Sequence, residues 1–141
     1  MTIPAVTIHG LADARLALSI QTPLTLLSGP NAGVYAGAGW WRAVIALAAA
    51  EFGPAPDILD CGTNPAAAVE ALRAHCTTLV LSPGPAWADV SERAARQGAI
   101  VLPTRPPAFD LAGYKPRDAR WHLAAWLQSA NSRLNEFGDG T

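Results

Sequence analysis

Leu24–Trp41, with the sequence LTLLSGPNAGVYAGAGWW, is the stretch that decides the predicted fold. It opens with an apolar run of strand length, breaks at Ser28-Gly29-Pro30 and enters a helical pattern at Trp40-Trp41. The loop between them contains Gly33, Gly37 and Gly39. A strand, a glycine-rich loop and a helix in this order often bind an anion on free backbone N–H groups. We therefore expect an α/β domain with a ligand site at this loop.

The same order of elements repeats along the chain. Strands are predicted at Ala5–Ile8, Leu24–Leu27, Asp57–Cys61, Thr77–Leu81 and Ala99–Leu102, and helices at Leu11–Ile20, Trp40–Phe52, Ala66–His75, Ala86–Gln97 and Arg117–Leu134. Alternating strands and helices with short loops favour a parallel sheet covered by helices. We predict a single-domain three-layer α/β/α sandwich with a mainly parallel sheet of about five strands.

The pattern changes after the fifth strand. Pro103–Pro107 cannot form regular helix or a central strand, and Ala108–Pro116 is predicted to be irregular. We divide the chain into an α/β domain over residues 1–113 and a C-terminal helical extension over 114–141, with the last residues frayed.

Composition narrows the classes of partner. Only 15% of the residues are charged, against about a quarter in ordinary soluble domains. Either a homo-oligomer buries part of this surface, which is the interpretation we favour, or alanine-rich helices inflate the hydrophobic count. The net charge of −1 supplies no basic field, so we expect no nucleic acid and no membrane partner. Two cysteines, no apolar run of about 18–20 residues and no export signal favour a cytoplasmic protein.

Two nucleotide-binding motifs fail at the glycine loop. A P-loop requires Lys and Ser or Thr after its last glycine, whereas Gly37 and Gly39 are followed by Ala38 and Trp40. The dinucleotide motif G-x-G-x-x-G has Arg42 in place of its third glycine. We predict no cofactor, and the loop stays either a small-anion site or a plain structural connection.

Ligands of open parallel sheets bind at the carboxyl ends of the strands. The polar and glycine residues expected there as ligand-binding residues are Ser28, Gly37, Gly39, Thr63, Asn64 and Arg105. Asp60 and Cys61 are the weak catalytic candidates, because a thiol at a strand-end turn near a helix start can become nucleophilic. A buried structural cysteine and a helix-capping Asn64 are the plain alternatives.

No metal site is predicted. The three histidines, His9, His75 and His122, are far apart and lack the neighbouring ligands that a metal motif needs.

Over about residues 5–103, the alternation of strands and helices resembles flavodoxin-like, Rossmann-like and response-regulator receiver domains. Of the residues that define receivers, only Asp60 has a counterpart, at the end of the third strand. His9-Gly10 replaces the acidic pair, and Pro103-Thr104-Arg105 contains no Lys. The resemblance therefore implies a fold and not a receiver function.

Three functions remain open. The favoured one is a noncatalytic, self-associating module that binds a small anionic ligand at the carboxyl ends of the strands. The second is a small enzyme that uses Asp60 or Cys61 with Arg105 on a phosphorylated or carboxylated metabolite. The third is a partner-binding protein that uses its C-terminal helix.

Overall fold

The computed structural model describes residues 3–138. Its strands are β1 (Ala5–Ile8), β2 (Thr25–Ser28), β3 (Asp57–Asp60), β4 (Thr78–Val80), β5 (Ile100–Leu102) and β6 (Ala108–Asp110). Its α-helices are α1 (Leu11–Leu18), α2 (Ala32–Tyr35), α3 (Ala38–Phe52), α4 (Pro65–Arg73), α5 (Trp87–Arg96) and α6 (Pro116–Gly138), with a 3₁₀ turn at Leu111–Gly113. The fraying predicted for residues 139–141 lies outside the described residues.

All six strands run parallel in one sheet, in the order β5-β4-β3-β2-β1-β6. The predicted α/β class, the parallel sheet and the C-terminal helix are confirmed, with six strands instead of about five. β1 to β5 lie side by side in chain order, and β6 pairs with the free edge of β1. The chain therefore crosses from one edge of the sheet to the other between β5 and β6.

β6 and α2 correct two details of the prediction. The sequence predicts that residues 108–116 are irregular, yet Ala108–Asp110 forms a strand that pairs with β1. The two-residue alternation of a strand cannot be recognised in three residues that follow two prolines. The glycine loop also contains the single turn of helix α2, which four residues are too few to reveal.

The side chains of the strands divide between two hydrophobic clusters. The larger cluster joins one side of the sheet to the helices, including Ala119, Leu123 and Leu127 of α6. The smaller cluster takes one residue from every strand: Ala5, Leu27, Ile58, Val80, Leu102 and Ala108. Neighbouring residues of a strand point to opposite faces, so the two clusters lie on opposite sides of the sheet.

The connection from β5 to β6 requires the sheet to curve. In a flat sheet, five strand spacings would separate these edge strands by about 24 Å. Pro103–Pro107 supplies only five residues, and the chain from Leu102 to Ala108 reaches at most about 22 Å. The curvature therefore brings the two edges towards each other, and the connection passes the carboxyl ends of the inner strands.

A buried polar contact joins α3 to β3. The indole Nε1 of Trp41, a fully buried side chain, donates to Asp57 Oδ1 at 2.9 Å. Burial raises the pKa of Asp57, although the Trp41 hydrogen bond and the charge of Arg42 act in the opposite direction. Trp41 thus fills the core and also satisfies a carboxylate that the core encloses.

Within residues 3–138, no helix combines the length and the apolar character that crossing a membrane requires.

Candidate functional site

Arg105 and Asp60 form the centre of the polar cluster at the carboxyl ends of the strands. Arg105 Nη1 lies 2.7 Å from Asp60 Oδ2 and also donates to the Ser28 carbonyl oxygen at 2.9 Å. Its Nη2 donates to Thr7 Oγ1 at 3.2 Å. Arg105 belongs to the β5–β6 connection; Ser28 and Asp60 are the last residues of β2 and β3, and Thr7 is the last but one of β1. One guanidinium therefore links the ends of three adjacent strands.

The Asp60 carboxylate has a second set of contacts. Its Oδ1 accepts the Gly62 N–H at 2.7 Å, and its own N–H donates to Ser28 Oγ at 2.9 Å. The Ser28 hydroxyl in turn donates to the Gly29 carbonyl oxygen at 3.0 Å. The Asp60 side chain is only 5% exposed, so its charge neutralises Arg105 with little screening by water. This leaves Arg105 poorly suited to bind a further anion.

His9 and Asp110 form a second pair at the neighbouring carboxyl ends of β1 and β6. His9 Nε2 lies 2.8 Å from Asp110 Oδ1, and the His9 N–H donates to Asp13 Oδ2 at 2.8 Å. Partial burial raises the pKa of Asp110, but the Ala112 N–H and the His9 and Arg105 charges outweigh it and lower the pKa from its usual range. The carboxylate is therefore ionised and fixes the orientation of the imidazole.

The imidazole of His9 lies against a glycine. A Cβ placed on Gly29 would come within 2.9 Å of His9 Nδ1 and 3.1 Å of the Tyr35 hydroxyl. The second ring nitrogen and the phenol hydroxyl therefore lie over the same point of the backbone. Only glycine leaves room for both.

The first part of the glycine loop packs against the end of β3. A Cβ on Gly33 would lie 2.9 Å from Cys61 Sγ and 3.1 Å from the Asp60 carbonyl oxygen. Asn31, with φ of 62°, presses its side-chain oxygen against Gly62, whose φ is 59°. These close approaches make Asn31–Gly33 a packed structural turn and not an open cradle.

The second part of the loop lines an open groove of about 610 Å³ between the start of α3 and α4. Gly37 and Gly39 line it together with Asn64, Glu70 and Arg73. Asn64 also caps α4, because its Oδ1 accepts the Ala67 N–H at 3.1 Å. Two of the predicted loop residues and the predicted Asn64 are thus brought together.

The start of α3 has no side-chain cap. In the described part of the chain, the N–H groups of Ala38, Gly39 and Trp40 have no hydrogen-bond acceptor, whereas the Trp41 N–H bonds to the Gly37 carbonyl oxygen at 3.3 Å. Helical N–H groups point towards the N-terminus, which here is the side of the groove. Ala38 and Gly39 line the groove, so two of these free donors and the positive end of the helix dipole lie at it.

The predicted ligand residues consequently separate into two places. Ser28 and Arg105 lie in the polar cluster with Asp60, and Gly37, Gly39 and Asn64 lie at the groove. Thr63 is exposed beside Asn64 and does not line the groove.

Cys61 is fully buried, and burial raises the pKa of its thiol to about 12, with smaller effects of Cys76 and Asp60 in the same direction. Burial likewise raises the pKa of Cys76 to about 11. A nucleophilic cysteine needs the opposite shift, so the surroundings of Cys61 do not support that role.

Asp110, Thr7 and Tyr35 belong to the polar region but were not candidates from sequence. Asp110 lies within Ala108–Pro116, the segment that the sequence predicts to be irregular, and only the pairing of β6 with β1 places it beside His9. Thr7 contacts Arg105 because the β5–β6 connection crosses the carboxyl ends of the strands. The one available signal was the position of His9 at a strand end.

Among residues 3–138, no three His, Cys, Asp or Glu side chains are grouped so that they could hold a metal ion. Comparison with known proteins finds no matching protein-family model and no curated protein of significant similarity.

Proposed function

We propose that the protein is a noncatalytic α/β module that binds a small anion in the groove at the start of α3. The observation that carries the proposal is the set of three free N–H donors at the start of α3, on Ala38, Gly39 and Trp40, of which Ala38 and Gly39 line the groove. A phosphate or carboxylate group of a small metabolite matches such donors and the helix dipole.

Two charged side chains of the groove, Arg73 and Glu70, should affect anion binding at the start of α3 in opposite ways. Arg73 provides a cation, but it is paired with Glu70 at 3.0 Å, and both side chains are largely exposed. An anion at the start of α3 competes for Arg73 and is repelled by Glu70. Glu70→Gln should therefore tighten binding and Arg73→Gln should weaken it.

Inorganic phosphate is the probe for the test, observed through the amide chemical shifts of the protein. Ala38→Pro removes one of the three free N–H groups at a helix position that tolerates proline, after Gly37 with ψ of 159°. Gly39→Ala keeps every N–H group, and its Cβ has no atom within 4 Å. We expect Ala38→Pro to weaken phosphate binding by roughly threefold and Gly39→Ala to leave it unchanged.

Shifts confined to the α3 start support the proposal. Equal phosphate binding by the wild type and Ala38→Pro would exclude it.

We further propose that the module self-associates through the outer face of α3. Leu47 is 55% exposed, and Ala43, Ala46 and Ala50 are exposed beside it, with no charged residue between Arg42 and Glu51. An uncharged helix face fits the low charge content of the chain. Sedimentation should show an oligomer that the Leu47→Glu substitution dissociates. Ala12→Glu, at an exposed position of α1, should leave the oligomer intact. A wild-type monomer at micromolar concentration would remove this part of the proposal.

A small enzyme at the polar cluster is the second candidate, and His9–Asp110 is the observation that favours it. A carboxylate that orients an imidazole leaves the other ring nitrogen free as a general base. His9 would act as the base, and Asp110 would orient it, in place of the buried Cys61. The test is turnover of phosphorylated and carboxylated metabolites followed by NMR, lost in His9→Gln and retained in His75→Gln; no turnover of any of them by the wild type counts against this candidate.

A further inference from the structure

The start of α6 carries a patch unlike the rest of the surface. Three of the ten Lys and Arg residues fall within 115–120, namely Lys115, Arg117 and Arg120, and all three are exposed. Asp118 is the only acid among these six residues. The net charge of −1 describes the whole chain and conceals this local positive excess.

Aromatic rings lie in a continuous series beside these cations. Tyr114 and Trp121 both contact the His122 ring, with ring centroids 4.6 Å and 4.9 Å from it. Beneath them, Phe109 stacks on Tyr114 at 5.2 Å with an interplanar angle of 8° and contacts Trp126 at 5.7 Å. Phe109 thus supports Tyr114 from below, and the His122 ring lies between Tyr114 and Trp121.

The outer rings are open to solvent. Trp121 is 70% exposed and Tyr114 is 40% exposed, although a large ring normally gains free energy from burial. Arg117 precedes Trp121 by one helical turn, so their side chains share a face of α6. The patch therefore combines exposed flat rings with a guanidinium beside them.

We infer that this patch, Tyr114 to Trp121, binds single-stranded nucleic acid. Cations that contact phosphates and rings on which bases stack are the two elements of such surfaces. Charge complementarity requires an anionic partner. The exposed residues one turn from Trp121 along α6 are Arg117, Asp118 and Ala125, which offer too little apolar surface for a lipid bilayer.

Anisotropy of a fluorescein-labelled oligothymidylate tests the inference on the full chain. We expect binding whose logarithm falls with the logarithm of salt concentration with a slope of about −2, because each of three cations releases about 0.7 counterion from a single strand. Trp121→Ala should weaken binding about tenfold. Arg117→Gln should weaken binding and make the slope shallower by about 0.7.

Two matched variants complete the test. Arg93→Gln removes an exposed arginine from α5 and should change nothing, whereas Asp118→Asn should tighten binding. No binding at low salt overturns the inference. Three further results also overturn it, because each removes the need for base stacking. These are equal competition by polyglutamate, equal affinity for duplex DNA, and preferential binding to phosphatidylserine vesicles. An unaltered affinity in Trp121→Ala does the same.

Discussion

Asp60 and Arg105 are 45 residues apart in the chain and form a 2.7 Å ion pair at the carboxyl end of β3. Arg105 is the only side chain of the β5–β6 connection for which the described residues show contacts to β1, β2 and β3 together. This pair therefore ties the crossing connection to the centre of the sheet.

Removing one partner of this pair should be costly. Arg105→Met leaves the Asp60 charge buried without its cation, so we expect a loss of about 3 kcal/mol in the free energy of unfolding, measured with urea. Asp60→Asn combined with Arg105→Met should recover part of that loss. The exposed Arg15–Glu51 pair is the control, since Arg15→Met should cost less than about 1 kcal/mol. Equal losses at the two sites would contradict the structural role of Arg105.

Gly29→Ala should disturb His9. The added Cβ would meet the His9 ring at 2.9 Å, so we expect a loss of about 1–3 kcal/mol from overpacking. The double variant with His9→Ala should recover most of it, because the obstructing ring is gone. Gly84→Ala, which meets no atom within 4 Å, should have little effect. If the losses in the free energy of unfolding from the two substitutions simply add in the double variant, the two residues do not touch.

Asp57 should make stability fall as the pH rises. Burial raises its pKa in the folded protein above the ordinary value of 3.8, so the folded state keeps a proton that the unfolded state has lost. The stabilisation that comes from this retained proton is fully present below the pKa of Asp57 in the unfolded state. It is lost as the pH rises through the pKa of Asp57 in the folded state. Asp57→Asn, which still accepts the Trp41 hydrogen bond, should therefore gain stability over the wild type between acid and neutral pH.

Urea unfolding at a series of pH values measures this gain. The exposed Asp118→Asn variant should follow the wild-type curve. An Asp57→Asn variant that is less stable than the wild type at neutral pH would contradict the prediction.

Cys61 should resist alkylation in the folded protein. A pKa of about 12, against an ordinary value of 9.0, lowers the thiolate fraction at neutral pH by roughly a thousandfold, and full burial blocks access as well. Iodoacetamide should label Cys61 only after unfolding in urea, as mass spectrometry of the peptides can show. Rapid labelling of native protein would restore Cys61 as a candidate nucleophile.

The sequence is sufficient to predict elements whose pattern is local. The predicted strand Ala5–Ile8 matches β1, and the helix predicted at Trp40–Phe52 differs from α3 by only two residues. Apolar runs and flanking Gly and Pro carry this information because strand and helix periods are properties of neighbouring residues.

The contacts of the polar cluster cannot be predicted from local sequence patterns. Arg105 meets Thr7, and His9 meets Asp110, because the chain crosses the sheet and pairs β6 with β1. Such contacts depend on strand order, which no local pattern encodes. The separation of Gly37 and Gly39 from Ser28 likewise follows from how α2 packs on β3.

The pairing of β1 with β6 also has a consequence for folding during synthesis on the ribosome. Val6 is opposite Phe109, so the free edge of β1 has no partner until the ribosome has added roughly a hundred more residues, several seconds of synthesis. During that interval an apolar strand edge is open to other nascent chains. A translational pause before Ala108 should therefore lower the yield of soluble protein relative to the same chain translated without the pause.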